Sequence, residues 1–210
     1  MLPQDFASWW DAPGEWVEEP NRRRSGWSGM MRCRIDGRVY YVKRQCNHLY
    51  RSLRHPIGQP TAYREYGNLL RLKQLGLVVP TPVFFGKRHT GEGFEAVLAT
   101  EELAGYAPLD TQTGLAAAAR TALAARVGET LRVMHRANLQ HSCLYDKHIF
   151  VRWQDGQPSI ALIDLEKLRR RLLPGKAGRH DLDQLRRHQK IWDANDWRIL
   201  EQRHGGPAAR

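Results

Sequence analysis

The chain has 210 residues and a formal net charge of +11, with 41% hydrophobic and 26% charged residues. These proportions belong to a slightly polar globular protein and argue against a disordered chain. The length suits one compact domain or two small lobes. No apolar stretch approaches the roughly 18 to 20 residues that a membrane-spanning helix needs, which argues against an integral membrane protein of that kind.

The N-terminus predicts a cytoplasmic protein. Its first residues, "MLPQDFASWWDAPGEW", lack the basic and apolar regions of a signal peptide. The three cysteines, Cys33, Cys46 and Cys143, cannot all pair with one another, and their spacing matches no zinc-binding pattern. We therefore expect free thiols, as is usual for a protein that is not exported.

The excess positive charge is clustered in two segments. "NRRRSGW" (21–27) contains three consecutive arginines, and "KLRRRLLPGKAGRH" (167–180) contains six lysines and arginines. Such clusters fit an anionic partner: phosphates, an acidic membrane surface, nucleic acid or an acidic protein. Because basic runs are not specific, a solvated surface is the simpler interpretation of each cluster taken alone.

The first half of the chain has the pattern of strands around one helix. Residues 30–45 predict a hairpin with Lys43 near the end of its second strand, because their central Asp-Gly pair favours a two-residue turn. Helical spacing of apolar residues predicts a helix over 61–75. Two apolar runs within 77–103 predict a second hairpin, which gives a sheet of about four strands.

The second half is richer in helix. Residues 112–136 predict a long helix, 148–164 predict a third hairpin turned by another Asp-Gly pair, and 180–203 predict a helical tail. An antiparallel sheet with one helix therefore precedes a helix-rich half. This order predicts an α+β protein with two lobes.

Several residues of these elements could carry chemistry. Asp164 ends the apolar run "SIALID", where a rigid strand could present it to Mg²⁺. Lys43 could bind nucleotide phosphates while Glu65, on the following helix, holds it. Gly26 and Gly29, placed just before the first predicted strand, could let the backbone approach phosphates. Each residue also has a plain structural interpretation, as a turn, a surface charge or a surface glycine.

The segment "LQHSCLYDKHIFV" (139–151) combines four reactive side chains: His141, Cys143, Asp146 and His148. The cysteine and histidines suggest a thiol protease. However, no flanking pattern predicts a helix N-terminus that would activate Cys143, so a buried and inert thiol is the better interpretation.

The order of these parts resembles the protein-kinase fold, and in particular the lipopolysaccharide kinases of the Kdo/WaaP type, in their InaA-like branch. The resemblance covers about residues 22 to 190. It implies a strand-rich, nucleotide-facing lobe over 1–104 and a helical lobe over 105–210 that carries the catalytic and metal loops. The motifs that carry it are "YYVKR", "YREYGNLLRL", "ATEEL", "HSCLYDKHIFV", "IDLEK" and "RHDLDQLRRH".

The resemblance implies a role for each matched residue. Lys43 would orient the phosphates of ATP, and Glu65 would orient Lys43. His148 and Asp164 would bind Mg²⁺, with His148 at the position where kinases usually have asparagine. Asp181 would be a structural brace. The remaining implied nucleotide contacts are the turn with Gly26 and Gly29 and the hinge of Glu101, Glu102 and Leu103.

The chain departs from the kinase pattern at the catalytic base, because Cys143 follows His141 and Ser142 where aspartate is expected. Three hypotheses remain open. Asp146 could supply the carboxylate from a shifted position. The base could be dispensable, since phosphoryl transfer depends mainly on positioning and charge neutralisation. Alternatively, the protein is a pseudokinase that binds nucleotide without turnover.

The resulting prediction is an ATP-dependent phosphotransferase that acts on sugar hydroxyls of the lipopolysaccharide inner core. The acceptor is lipopolysaccharide core or another anionic molecule, and we expect peripheral contact with the acidic cytoplasmic face of the inner membrane. A nucleic-acid partner is disfavoured, and the oligomeric state is not readable from the sequence. Phosphotransfer to small molecules such as aminoglycosides or choline shares the fold and stays open.

Overall fold

The computed structural model describes residues 1–23, 26–53, 55–173 and 175–205. Arg24, which belongs to the first basic cluster, lies outside the described residues. The chain divides into two compact units. The first comprises Met1–Leu70 and Pro80–Glu102, and the second comprises Arg71–Val79 and Leu103–Arg210.

The first unit is built on a five-stranded antiparallel sheet with the order β1-β2-β3-β7-β6. A two-stranded ribbon, β4-β5, and two helices accompany it, and the second helix runs on into the residues of the other unit. The elements are α1 (Phe6–Trp10), β1 (Glu15–Arg23), β2 (Gly26–Ile35), β3 (Arg38–Cys46), β4 (Leu49–Ser52), β5 (His55–Pro60), α2 (Thr61–Gln74), β6 (Pro82–Thr90) and β7 (Gly93–Glu101).

The predicted hairpin between β2 and β3 is confirmed. Asp36 and Gly37 both have positive φ, 48° and 75°, which is the backbone of the two-residue turn that matches the twist of antiparallel strands. The turn sets the register that places Met31 and Cys33 on the buried face, beside Trp9 from α1. Trp9 is fully buried, so the short N-terminal helix closes one side of this core.

The structure differs from the sequence prediction at the first strand. β1 precedes the glycines, so Gly26 and Gly29 lie within β2 rather than in a turn before the first strand. β1 was missed because it is a polar edge strand that contains Pro20 and irregular pairing. A Cβ on Gly29 would lie 2.6 Å from Trp16, so packing against β1 requires a glycine there. The nucleotide contact of the two glycines stays a prediction.

The described part of the second unit contains the end of α2, three further helices and two small antiparallel sheets, β11-β10-β8 and β12-β9. Residues 71–79 belong to it because Val78 forms a parallel bridge to Ala161. Its elements are β8 (Ala107–Pro108), α3 (Ala117–Arg136), β9 (Leu139–Gln140), β10 (Ile149–Gln154), β11 (Gln157–Leu162), β12 (Arg169–Arg170), α4 (Lys176–His188) and α5 (Ala194–Gly205).

The long helix α3 forms the centre of the second unit. It buries Leu123, Val127 and Leu131 completely and packs against α5. Gly128 allows this close packing, because a Cβ there would lie 2.4 Å from the carbonyl oxygen of Leu200. The helix starts at Ala117, five residues later than predicted.

The predicted third hairpin is confirmed, and its Asp155 and Gly156 have the same left-handed turn backbone as the first. The tail predicted as one helix is two helices, α4 and α5. Gln189 adopts an extended backbone that ends α4, and its side-chain oxygen accepts the N–H groups of Ile191 and Trp192. The α+β fold class is therefore confirmed, with a break that the helical pattern did not reveal.

Two further expectations concerned free thiols and the lack of a membrane-spanning helix. Cys33, Cys46 and Cys143 are all buried free thiols. Over the described residues, no helix combines the length and apolar character that crossing a membrane requires.

Candidate functional site

Lys43 and Glu65 form a largely buried ion pair in the first unit. The Lys43 Nζ lies 2.5 Å from the Glu65 Oε2, and their side chains are only 12% and 10% exposed. β3 presents the lysine between two sheet neighbours, Met30 and Leu98, and α2 presents the glutamate. The predicted pairing of these two side chains is confirmed. A lysine held in this way offers a fixed positive charge suited to phosphate oxygens.

Gln45 fixes the start of α2 and so positions Glu65. Its side chain is fully buried. The Nε2 group donates to the hydroxyls of Ser28 and Thr61 at 3.0 and 2.8 Å, and the Oε1 atom accepts the Ala62 N–H at 2.9 Å. Gln45 was not among the predicted site residues, although its place two positions after Lys43, on the same strand face, was a signal.

The hinge residues join the two units in sequence: Glu101 and Glu102 end the first, and Leu103 begins the main part of the second. The N–H groups of Glu101 and Glu102 donate to the carbonyls of Thr81 and Val39 at 2.8 and 3.1 Å. Among the described residues, no hydrogen bond occupies the N–H of Leu103. Contact of the hinge with adenine stays a prediction, and Leu103 is the one of the three whose N–H suits it.

The loop that contains Cys143 is held by α4. Asp181 accepts the N–H groups of His141 and Ser142 at 2.6 and 3.0 Å, and Gln184 accepts that of Leu144 at 2.8 Å. Ser142 has a φ of +71°, a strained backbone for serine that these bonds support. The interpretation of Asp181 as a structural brace is therefore confirmed.

Asp181 is also the centre of a buried group of histidines. His135 Nε2 lies 3.0 Å from its carboxylate, and His135 Nδ1 lies 2.6 Å from His204 Nε2. Burial alone raises the pKa of Asp181, but the hydrogen bonds from His135, Ser142 and His141 outweigh it and lower that pKa. Burial and the neighbouring His135 lower the pKa of His204 to about 4. The brace is thus an ionised carboxylate surrounded by donors.

Replacing Asp181 with alanine is expected to lower the free energy of unfolding by about 3 kcal/mol, because two loop N–H groups and His135 lose a buried charged acceptor. The measurement is urea denaturation followed by tryptophan fluorescence. Asp183→Ala is the matched control, since Asp183 is exposed on the same helix and should change stability by less than about 0.5 kcal/mol. Equal effects of the two changes would contradict the brace.

His141 is buried and connects the loop to the end of β11. Its Nε2 lies 2.9 Å from the carbonyl oxygen of Ile163, the residue before Asp164. Burial lowers the pKa of His141. His141 therefore holds the backbone beside Asp164 as a neutral ring. A catalytic role for His141 stays a prediction.

The structure brings the two predicted metal ligands together. His148 Nδ1 lies 2.8 Å from the carbonyl oxygen of Cys143 and 3.6 Å from Asp164 Oδ2. A carbonyl only accepts, so Nδ1 carries the proton, and a cation held by this ring would bind the lone pair of Nε2. Asp164 has a left-handed backbone (φ 57°, ψ 55°) and a side chain that is 34% exposed. One carboxylate and one imidazole nitrogen fit a divalent cation.

Cys143 occupies the position of the expected base and is a poor proton acceptor. Burial raises the pKa of its thiol, against the opposing effect of the nearby positive charge of Lys167. Lys167, three residues after Asp164, was not identified from the sequence, although it belongs to the quoted "IDLEK" motif. Asp146 is half-buried and begins a short 3₁₀ turn, where its Oδ1 accepts the Lys147 N–H at 2.9 Å. Its role as a shifted base stays a prediction.

A second group of potential ligands is explained without a metal. Cys46, Glu92 and Glu95 have ligand atoms within 4.8 Å of one another in the first unit. However, the Glu95 carboxylate is already paired with Arg88 at 2.5 Å. Burial raises the pKa of the Cys46 thiol, as do the two nearby carboxylates. The packing of Cys46 and the ion pair of Glu95 with Arg88 therefore account for this cluster.

Comparisons with known proteins agree with this geometry. The family model described as "Lipopolysaccharide kinase (Kdo/WaaP) family" matches residues 7–203. Protein InaA of Escherichia coli (strain K12) is 38% identical over 200 residues, which are 92% of this chain and 92% of that protein. The solved structure "WaaP in complex with acyl carrier protein" has a TM-score of 0.73 at 22% identity and covers 94% of this chain and 80% of that one.

The structural likeness confirms the fold that the sequence predicted. At 22% identity it speaks for the fold alone, which is the protein-kinase-like fold of that structure. The family match and the InaA relative extend over nearly the whole chain. The chain belongs to the lipopolysaccharide kinase (Kdo/WaaP) family.

Proposed function

We propose that the chain transfers the γ-phosphoryl group of ATP to a sugar hydroxyl of the lipopolysaccharide inner core. The observation that carries the proposal is the place of Asp164 just after β11, where its partly exposed carboxylate lies 3.6 Å from His148 Nδ1. The family supports a kinase in general. The particular acceptor, ATP and Mg²⁺ are the finer parts of this proposal.

The residues have distinct tasks in the proposed reaction. Lys43, held by Glu65, binds the nucleotide phosphates, and the N–H of Leu103 donates to the adenine ring. Asp164 and His148 would hold the cation, which would supply positive charge to offset the negative charge that develops during transfer. Fixed charges of this kind stabilise a phosphoryl transition state without reorganisation.

The neutral thiol of Cys143 leaves the position of the usual catalytic base without a proton acceptor. A buried thiol with a raised pKa does not take the proton of a sugar hydroxyl at neutral pH. We propose that transfer proceeds through positioning and charge neutralisation, with Lys167 adding a positive charge beside Cys143. Asp146 is the nearby carboxylate in the sequence that could accept the proton from a shifted position.

The second candidate is a pseudokinase module that binds nucleotide without turnover. The buried, neutral Cys143 favours it, because a module released from catalysis does not need the base. The retained Lys43–Glu65 pair and the Asp164–His148 pair favour the enzyme. Both candidates expect nucleotide binding, so only a transfer assay separates them.

The experiment that tests the proposal is a transfer assay with ATP, Mg²⁺ and purified inner-core lipopolysaccharide, read by mass spectrometry of the saccharide. The parent protein is expected to add one phosphate. Cys143→Asp is expected to raise kcat by at least about tenfold, because a positioned general base contributes substantially to proton transfer. Cys143→Ser, similar in size and without a carboxylate, should keep the parental rate.

Nucleotide binding without product in both the parent and Cys143→Asp would favour the module over the enzyme. Loss of product in Asp146→Ala, with nucleotide binding intact, would identify Asp146 as the shifted base. The proposed location is the cytoplasm, with visits to the cytoplasmic face of the inner membrane where an inner-core acceptor is anchored.

A further inference from the structure

Two leucines are exposed to solvent in the stretch that runs from β12 to the first turn of α4. This stretch is called the 169–179 segment below. Leu172 is 94% exposed and Leu173 is 56% exposed. Exposed large aliphatic side chains that are adjacent in the chain gain free energy when they leave water. Their exposure is a feature that folding of this chain alone does not explain.

The 169–179 segment is fixed at both ends. On one side β12 pairs with β9, and the Arg171 N–H donates to the Asn138 carbonyl at 2.8 Å. On the other side α4 begins at Lys176 and buries Ala177 and Gly178. The leucines are therefore presented by an anchored loop, at a defined place on the second unit.

The leucines are surrounded by positive charge. Residues 168–180 contain no acidic side chain. Within the described part of the chain, none of the ion pairs found involves a cation of this segment. The cations are Arg169, Arg170, Arg171, Lys176 and Arg179, of which all but Arg171 are exposed.

We propose that the 169–179 segment docks on an anionic lipid bilayer, with Leu172 and Leu173 in the interfacial region and the cations on headgroup phosphates. Positive charge complements an acidic leaflet, and two exposed leucines add an apolar contact. A lipid surface accepts a protruding apolar tip without shape complementarity. An acidic protein would need a matching pocket for the same leucines. Docking does not require phosphotransfer, so this inference and the proposed function can fail independently.

The test is co-sedimentation of the full chain with vesicles of phosphatidylethanolamine and phosphatidylglycerol, compared with vesicles of phosphatidylcholine. We expect binding to the anionic vesicles at low salt, weaker binding at high salt, and little binding to phosphatidylcholine. Leu172→Ser with Leu173→Ser should weaken binding about tenfold, and Arg169→Gln with Arg170→Gln should do the same.

Matched controls separate the segment from overall charge. Leu53→Ser changes a leucine that is 103% exposed in the first unit, and Arg34→Gln with Arg38→Gln removes two other exposed arginines. Both controls should bind within about twofold of the parent protein.

Three results would overturn the inference. Anionic vesicles that fail to sediment the parent protein would exclude docking. Equal weakening by the Arg34 and Arg38 control would show that the overall charge, not the segment, drives binding. Loss with the arginine pair but not with the leucine pair would exclude insertion of the leucines and leave adsorption by charge alone. Melting temperatures equal to the parental value show that each variant is folded.

Discussion

Replacing Lys43 with methionine is expected to abolish nucleotide binding and to lower the free energy of unfolding by about 2–4 kcal/mol. The binding loss follows because the phosphates lose their fixed cation. The stability loss follows because Glu65, only 7% exposed, would keep a charge without the partner that stabilises it. Urea denaturation and titration with a fluorescent ATP analogue measure the two effects separately.

The double variant Lys43→Met with Glu65→Gln distinguishes stability from function. A neutral amide removes the unpaired charge, so the double variant should regain most of the lost stability while nucleotide binding stays absent. Lys190→Met, at an exposed position just after α4, is the matched control and should leave both properties unchanged. Nucleotide binding by Lys43→Met at parental affinity would exclude Lys43 from the phosphate site.

Replacing Asp164 with asparagine is expected to reduce phosphate transfer by about 10²–10³-fold, the effect of removing one strong electrostatic contact from a transition state. Asparagine tolerates the left-handed backbone of Asp164, so the fold should remain. Asp155→Asn is the matched control, because Asp155 is an exposed aspartate with a similar φ of 51° in the second unit. Steady-state rates at saturating Mg²⁺ are the measurement. Equal rates for Asp164→Asn and the parent would contradict a metal role for Asp164.

His148 adds a test of metal preference to the same site. An imidazole ligand favours Mn²⁺ over Mg²⁺ more than an amide-oxygen ligand does. His148→Asn should therefore weaken Mn²⁺ binding relative to Mg²⁺ binding. Mn²⁺ binding can be followed by loss of the electron paramagnetic resonance signal of the free ion, and Mg²⁺ binding by competition with Mn²⁺. An unchanged ratio would mean that His148 does not contact the cation.

Local patterns in the sequence were sufficient for the hairpins and for the Lys43–Glu65 pair. Asp-Gly pairs at 36–37 and 155–156 specify their turns through the backbone of two residues, so no distant contact is needed. The pairing of Lys43 with Glu65 followed from the order of a strand and the next helix. The turns depend on adjacent residues alone, whereas the Lys43–Glu65 pair joins a strand to the next helix across 22 positions.

Features that depend on distant contacts were not predicted. β1 is polar, and it becomes a strand only because β2 offers it an edge. Gln45 is a helix anchor only because Thr61 folds back onto β3. Lys167 acquires a role only because folding brings it to Cys143. In each case tertiary packing decides the role of a residue whose local pattern is ordinary.

The support of the loop that contains Cys143 could be predicted only in part. The resemblance indicated that Asp181 is a brace, but the bonds from His141 and Ser142 to that carboxylate join residues 40 and 39 positions apart. The histidines that surround the brace, His135 and His204, gave no signal in the sequence, because single histidines on helices usually face solvent or a core.

The most direct test of a nucleotide and metal site is the melting temperature of the parent protein and of Asp164→Asn, each with millimolar ATP and with or without Mg²⁺. A ligand that binds only the folded state raises the melting temperature, and the rise grows with the logarithm of ligand concentration above the Kd. We predict a rise in the parent that requires Mg²⁺ and that disappears in Asp164→Asn. A parent protein whose melting temperature does not change with ATP and Mg²⁺ would contradict the site, and with it both the kinase and the nucleotide-binding module.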